Sequence, residues 1–358
     1  LAYAAEATPR GADRCENLLF TIHFRLISES GVSGLGSLNS SGAPASNDFR
    51  HLTEADVLPL NAANPWIESA RWSARPPAAW LVLLSATAVT VTTVLVLPPP
   101  VSDFLPILDG DSLLAVTVNR GALYLLLFAS FFATALIGVF WERRPARQGA
   151  WPVAPAAVLG LVAGFSCLTV ALAITCLAGG AHLAPDSPPS GFGVVPGVLL
   201  AGALVLLQCW AEEALFRGWL QPVLCARWGP WTGLAVTTAL FGLAHSVRTP
   251  SVIAIINATL AGLMFGLLAL RTGGLSAPIA AHFGYNWAEQ SIFGLTPNPG
   301  VDAMGSVFNF DLSGPPLFSG GADELNGSIS VTLTLGVVVL LLGLAGLGSR
   351  ATEAAQSA

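Results

Sequence analysis

Charge is scarce in this chain. Only 10% of its 358 residues are Asp, Glu, Lys or Arg, against 53% hydrophobic. A soluble domain carries about 25% charged residues, so a water-facing globule of this size does not fit. The 15 basic and 21 acidic residues give a net charge of -6. The Lys/Arg stripe that nucleic acid demands is absent, which sets nucleic-acid binding aside. Metal-site cysteine spacing is also absent: Cys15, Cys167, Cys176, Cys209 and Cys225 are scattered, and four of them lie in or beside apolar segments, where a small thiol packs. No signal peptide is expected, because Arg10, Arg14 and Arg25 are dispersed and the apolar run 18–24 is short and interrupted by His23. Nor is there an internal repeat with paired Gly/Pro-broken helices in two halves, which counts against an inverted-repeat transporter.

Long apolar blocks separated by Pro, Gly or charge are what the chain does have, from residue 78 onward. A spanning helix needs roughly 20 largely apolar residues. Eight segments qualify: 78–97, 113–141, 153–177, 194–215, 231–247, 252–270, 275–293 and 329–347. The expected fold is therefore all-α and polytopic with about eight transmembrane helices. A flexible extension is expected over 1–75, whose run 31–45 is rich in Gly, Ser and Ala. The first three spans follow over 76–190, a core over 191–350 and a tail over 351–358. Gly160 and Gly164, and again Gly262 and Gly266, have the spacing of close helix packing.

Arginine placement orients the bundle. Arg71 and Arg75 precede the first span, Arg143, Arg144 and Arg147 follow the second, Arg217 and Arg227 the fourth, Arg271 the sixth and Arg350 the last. Alternation over eight spans puts them on one side, which the positive-inside rule assigns to the cytoplasm. Asp103, Asp109, Asp111, Asp302, Asp311, Asp323 and Glu324 fall opposite, with Arg248 as a contrary basic residue. Both termini are thus expected in the cytoplasm, and the Ala-, Gly-, Leu- and Pro-rich composition suits a bacterial cytoplasmic membrane.

Against this background, ionisable residues inside the apolar blocks stand out, because charge is costly in hydrocarbon and usually faces a cavity, pairs or does chemistry there. Glu213 and Arg217 are four apart, so on a helix they share a face and can pair. Glu212 points about 100° away from Glu213, leaving one carboxylate for the arginine and the other for a cavity. His245 lies in the next span, and His282 and Asn286 share a face in a later one. The other histidines, His23, His51 and His182, fall in the tail or loops. A desolvated carboxylate near imidazoles can activate water, and Asn and His can donate to an oxyanion. Two histidines and a glutamate, here Glu212, His245 and His282, would also serve as three ligands of a catalytic zinc. A packed polar contact, a non-catalytic immunity or scaffold protein and a proton-coupled transporter using Glu212 are the competing readings.

Glu-Glu-x-x-x-Arg at 212–217, Phe-x-x-x-His at 241–245 and His-x-x-x-Asn at 282–286, in that order on apolar helices, resemble the three motifs of the CPBP intramembrane proteases. That family includes CaaX prenyl protease Rce1-like enzymes, bacteriocin-processing and self-immunity proteins, and lysostaphin-resistance-protein-A-like proteins. The resemblance covers roughly 194–347 and includes Phe216-Arg-Gly-Trp-Leu-Gln221. It implies an endopeptidase acting on membrane-associated, including lipidated, peptides. It further implies that Glu212 and His245 activate water, that Glu213 and Arg217 organise the site, and that His282 and Asn286 stabilise the oxyanion. No His-Glu-x-x-His helix is present, which favours a reaction without metal. On straight helices, however, Glu212 would lie near the cytoplasmic end of its span and His245 near the outer end of the next. A tilted or longer fourth helix, or a break at Pro222 or Pro230, would be needed to bring them together.

Overall fold

The computed structural model describes residues 58, 60–61, 63–96, 107–110, 112–144, 152–184, 194–246, 251–295 and 304–345. Every described element belongs to the compact unit Leu52–Ala358. The 31–45 run, Cys15, His23, His51 and the 351–358 tail lie outside the described residues.

Part of the extension expected to be flexible is folded. Helix α1, Pro65–Arg71, begins on Asn64, whose side chain accepts from the Trp66 amide at 3.0 Å, and Pro at the first helical position suits such a start. Ile67 and Ala70 are buried. The Asn64 side-chain amide donates to the Leu270 carbonyl at 2.8 Å, so this short helix is bonded to the end of a distant one.

The main helices are α2 (Ala79–Val91), α3 (Leu113–Glu142), α4 (Val153–Leu177), α5 (Val195–Glu213), α6 (Gln221–Trp228), α7 (Pro230–Ser246), α8 (Val252–Thr272), α9 (Ser276–Trp287), the single turn α10 (Pro316–Ser319) and α11 (Ile329–Leu344). Hydroxyl caps mark three starts: Ser112, Ser251 and Ser328 accept from the amides of Ala115, Ile253 and Val331. Helix α8 stops at Gly273, whose φ of 68° is the left-handed cap that glycine adopts without strain. Two three-residue strands, β1 (Ala181–Leu183) and β2 (Phe310–Leu312), pair antiparallel with His182 opposite Asp311. Otherwise the described residues form an all-α bundle.

Among the described residues, six helical stretches are long and apolar enough to cross a membrane: Ala79–Val96, Leu113–Glu142, Val153–Leu177, Val195–Trp228, Val252–Thr272 and Gly321–Leu344. Eight spans were expected. The remaining two candidates fall on the 17-residue α7 and on α9 with its short π extension Ala288–Ile292. At 1.5 Å per residue such helices reach about 25 Å, short of a hydrocarbon core of about 30 Å. Side chains such as Ile137, Val162, Leu199 and Leu341 are exposed, as lipid-facing positions of a membrane bundle are. Arg120, near the N-terminal end of α3, is a second basic residue on the side assigned to the outside.

Two features place the site. The fourth span runs from Val195 to Trp228, 34 residues, so Glu212 and Glu213 lie near its middle rather than at its end. This helix continues through Pro222 by way of a π turn, Ala214–Leu220, and the chain breaks instead at Gly229, whose φ is 92°. The second feature is the packing of α4 on α9. A Cβ at Gly160 or Gly164 would collide with the backbone carbonyls of Ala277 and Ala281, so bare glycines let α9 lie directly on α4 and set the depth of His282. Gly164→Ala is expected to cost about 1–3 kcal/mol through overpacking, read as a lower melting temperature in detergent, because a backbone atom rather than a flexible side chain must move.

Candidate active site

The centre of the site is a fully buried group contributed by three elements. Glu213, the last residue of α5, accepts at one oxygen, Oε1, from Arg217 Nη1 at 2.9 Å and from His282 Nδ1 at 3.0 Å. Glu213 and Arg217 have no exposed side-chain surface. The i,i+4 pairing read from the sequence is thus realised at the start of the π turn, and His282 on α9 joins it. Arg217 Nη2 donates to the Gly262 carbonyl at 2.7 Å. A Cβ at Gly262 would come within 3.3 Å of that nitrogen and 3.0 Å of Phe241, so the glycine keeps this approach open.

Aromatic rings enclose Arg217 and His282. The Arg217 guanidinium carbon lies 4.4 Å from the Phe241 ring centre and 5.4 Å from that of Phe265, at distances where the ring quadrupole attracts a cation. His282 stacks on Phe265 at 4.6 Å and 19°. Phe241 also meets His245 at 4.6 Å and His282 at 6.0 Å, so one ring touches Arg217 and both motif histidines. An edge-to-face series from Phe131 through Phe216 to Phe241 and Phe265 anchors this box to α3.

Glu212 takes a different direction, as the 100° offset requires. It is buried and accepts from Gln208 Nε2 at 3.0 Å. His245, half-buried at the end of α7, has Nδ1 2.9 Å from the Phe241 carbonyl. The neighbouring acceptor favours the tautomer with the proton on Nδ1, which leaves Nε2 as a hydrogen-bond acceptor. Asn286 faces α5, with Nδ2 3.7 Å from Cys209 Sγ. His282 also contacts Cys209, so both residues of the His-x-x-x-Asn motif meet the same α5 thiol.

Glu212, His245 and His282, the three a zinc would need, are not grouped for it: among the described residues no three His, Cys, Asp or Glu side chains form a group that could hold a metal ion. His182 lies in the exposed ribbon, 4.0 Å from Asp311 and 3.2 Å from Ser313, outside this centre. Sequence reasoning missed Gln208, although its four-residue spacing from Glu212 is the same signal that revealed Glu213 and Arg217. It read Gly262 only as packing, and it had no means of finding Phe265.

Residues 194–288 match the family model described as type II CAAX prenyl endopeptidase Rce1-like. Among curated proteins, an uncharacterized 24.3 kDa protein of Escherichia coli is 33% identical over 91 residues, which is 25% of this chain and 42% of that protein. No solved structure matches. Six long apolar helices among the described residues make this an integral membrane protein, and its segment 194–288 is similar to that family. All three motifs lie inside that segment, which thus matches the Rce1-like type II CAAX prenyl endopeptidases, in agreement with the CPBP resemblance carried by its residues.

Proposed function

We propose that this protein is an intramembrane endopeptidase that hydrolyses membrane-associated peptides with water activated by Glu212 and His245. The observation that carries the reading is the division of labour between adjacent carboxylates. Glu213 is locked in contact with Arg217 and His282, whereas the side-chain hydrogen bond to Glu212 comes from the amide of Gln208. A carboxylate bonded by an amide rather than locked in an ion pair can take up a water molecule and its proton. Water bound at Glu212 would give its proton to the carboxylate as its oxygen bonds the scissile carbonyl carbon. Glu212 would then return that proton to the amine as the C–N bond breaks. His245 would hold the water through Nε2. Asn286 and His282 would donate to the oxyanion.

The step uses no metal ion. The substrate is a peptide that reaches the site laterally from the lipid of a bacterial membrane, with both termini of the enzyme on the cytoplasmic side. Comparative peptidomics of membranes from cells expressing wild-type protein or Glu212→Gln tests the reaction: a terminus present only with wild type is expected. Identical terminus sets would favour a scaffold, and Glu212-dependent proton-coupled uptake into vesicles would favour a transporter. Elemental analysis of the detergent-solubilised protein is expected to find no stoichiometric zinc. One zinc per chain, with chelator-sensitive activity restored by zinc, would overturn the metal-free step.

A further inference from the structure

The π turn that positions Arg217 leaves backbone carbonyls without helical donors. Its last i→i−5 bond runs from the Gln221 amide to the Phe216 carbonyl. The return to α geometry at Gln221 therefore passes over the Arg217 carbonyl. One residue on, Pro222 has no N–H, so the Gly218 carbonyl lacks its i+4 donor. Two consecutive carbonyls beside a buried ion pair would thus be orphaned, a costly arrangement away from water.

Each is met by a side chain from a remote part of the chain. Trp66 Nε1 in α1 donates to the Arg217 carbonyl at 3.1 Å, and Arg144 Nη1, just past the end of α3, donates to the Gly218 carbonyl at 2.8 Å. The next residue, Trp219, is held by the same region: its Nε1 donates to Glu142 Oε1 at 2.6 Å, and Glu142 pairs with Arg144 at 2.7 Å. Gly138 has no side chain where a Cβ would overlap the Trp219 indole. Residues 217, 218 and 219 are thus gripped in succession, and Trp66 and Arg144 both lie outside the matched segment 194–288.

We propose that Trp66 and Arg144 are positioning residues of the active site, capping the carbonyls that the π turn and Pro222 expose and so fixing Glu213 and Arg217 beneath His282. The assignment rests on the proteolytic reading for its kinetic consequence, but not for the capping itself. The π turn exists only while those carbonyls have donors. Without them the segment relaxes toward α geometry, which rotates Arg217 relative to Glu213 and Gly262.

Pro222→Ala discriminates between the two caps. It restores an N–H at position 222 that can reach the Gly218 carbonyl, replacing Arg144, and leaves the Arg217 carbonyl dependent on Trp66. Trp66→Phe keeps the ring and removes the donor. Arg144→Met is made in a Glu142→Gln background, so that no buried carboxylate loses its cation. Melting temperature in detergent and Glu212-dependent cleavage of a peptide found by the membrane comparison are both read. Each cap variant is expected to melt several degrees lower and to lose about 10- to 100-fold in kcat, with KM little changed. Adding Pro222→Ala is expected to restore the Arg144→Met protein but not the Trp66→Phe protein. Restoration of neither or of both by Pro222→Ala, or cap variants with wild-type kcat, would overturn the proposal. If the wild-type protein cleaves nothing while the melting pattern holds, the capping stands and the proteolytic reading falls.

Discussion

Glu212→Gln is expected to lower single-turnover peptide cleavage by about 10³-fold or more, with the melting temperature in detergent unchanged. Positioned general bases contribute about 10²- to 10⁴-fold, and the amide cannot take a proton from water at neutral pH. The fold is insulated from the change. Gln208 donates to Glu212 Oε1, and a glutamine at 212 still offers a carbonyl oxygen there. The neighbouring carboxylate provides the contrast: Glu213→Gln weakens the contacts to both Arg217 and His282, so it is expected to lower stability and activity together. If Glu212→Gln kept a rate within tenfold of wild type while Glu213→Gln abolished cleavage at unchanged stability, the base would have to be reassigned to Glu213.

Local spacing made most of the site legible. The i,i+4 interval of Glu213 and Arg217 became a 2.9 Å ion pair, and the offset of Glu212 became a separate partner on the same helix. The glycine pairs at 160/164 and 262/266 proved to be places of close approach. The length of the fourth span was not legible. Hydropathy falls across Glu212, Glu213 and Arg217, and Pro222 follows, so an end near 215 is what a lipid-facing helix would show. These polar groups are satisfied inside the bundle instead, and the helix continues to Trp228. Helix α1 escaped notice because seven residues cannot form an apolar run. Its Asn64-Pro65 start was readable, but its docking onto carbonyls 151 residues or more away has no local signature. The same holds for His282, whose partner is set by α9 lying on the α4 glycines rather than by its spacing from Asn286.

Arg217→Met is expected to be among the most destabilising single changes in the chain, at about 3–5 kcal/mol, because it leaves a carboxylate buried without its guanidinium. Glu213 has no exposed surface, so water cannot take the place of Arg217, and His282 alone remains at Oε1. The Gly262 carbonyl loses its donor in the same step, and the cation leaves the faces of Phe241 and Phe265. Lysine is expected to rescue little, since an ammonium cannot span Glu213 and Gly262 as the planar guanidinium does. The charge argument is separable from the packing one. In Glu213→Gln/Arg217→Met both charges are gone while the side-chain volumes are nearly kept, so the double variant is expected to be more stable than Arg217→Met alone, although inactive because His282 is no longer fixed. Equilibrium unfolding in mixed micelles measures the difference. A double variant less stable than the Arg217 single variant would mean that Glu213 contributes through its hydrogen bond to His282 more than it costs as an isolated buried charge.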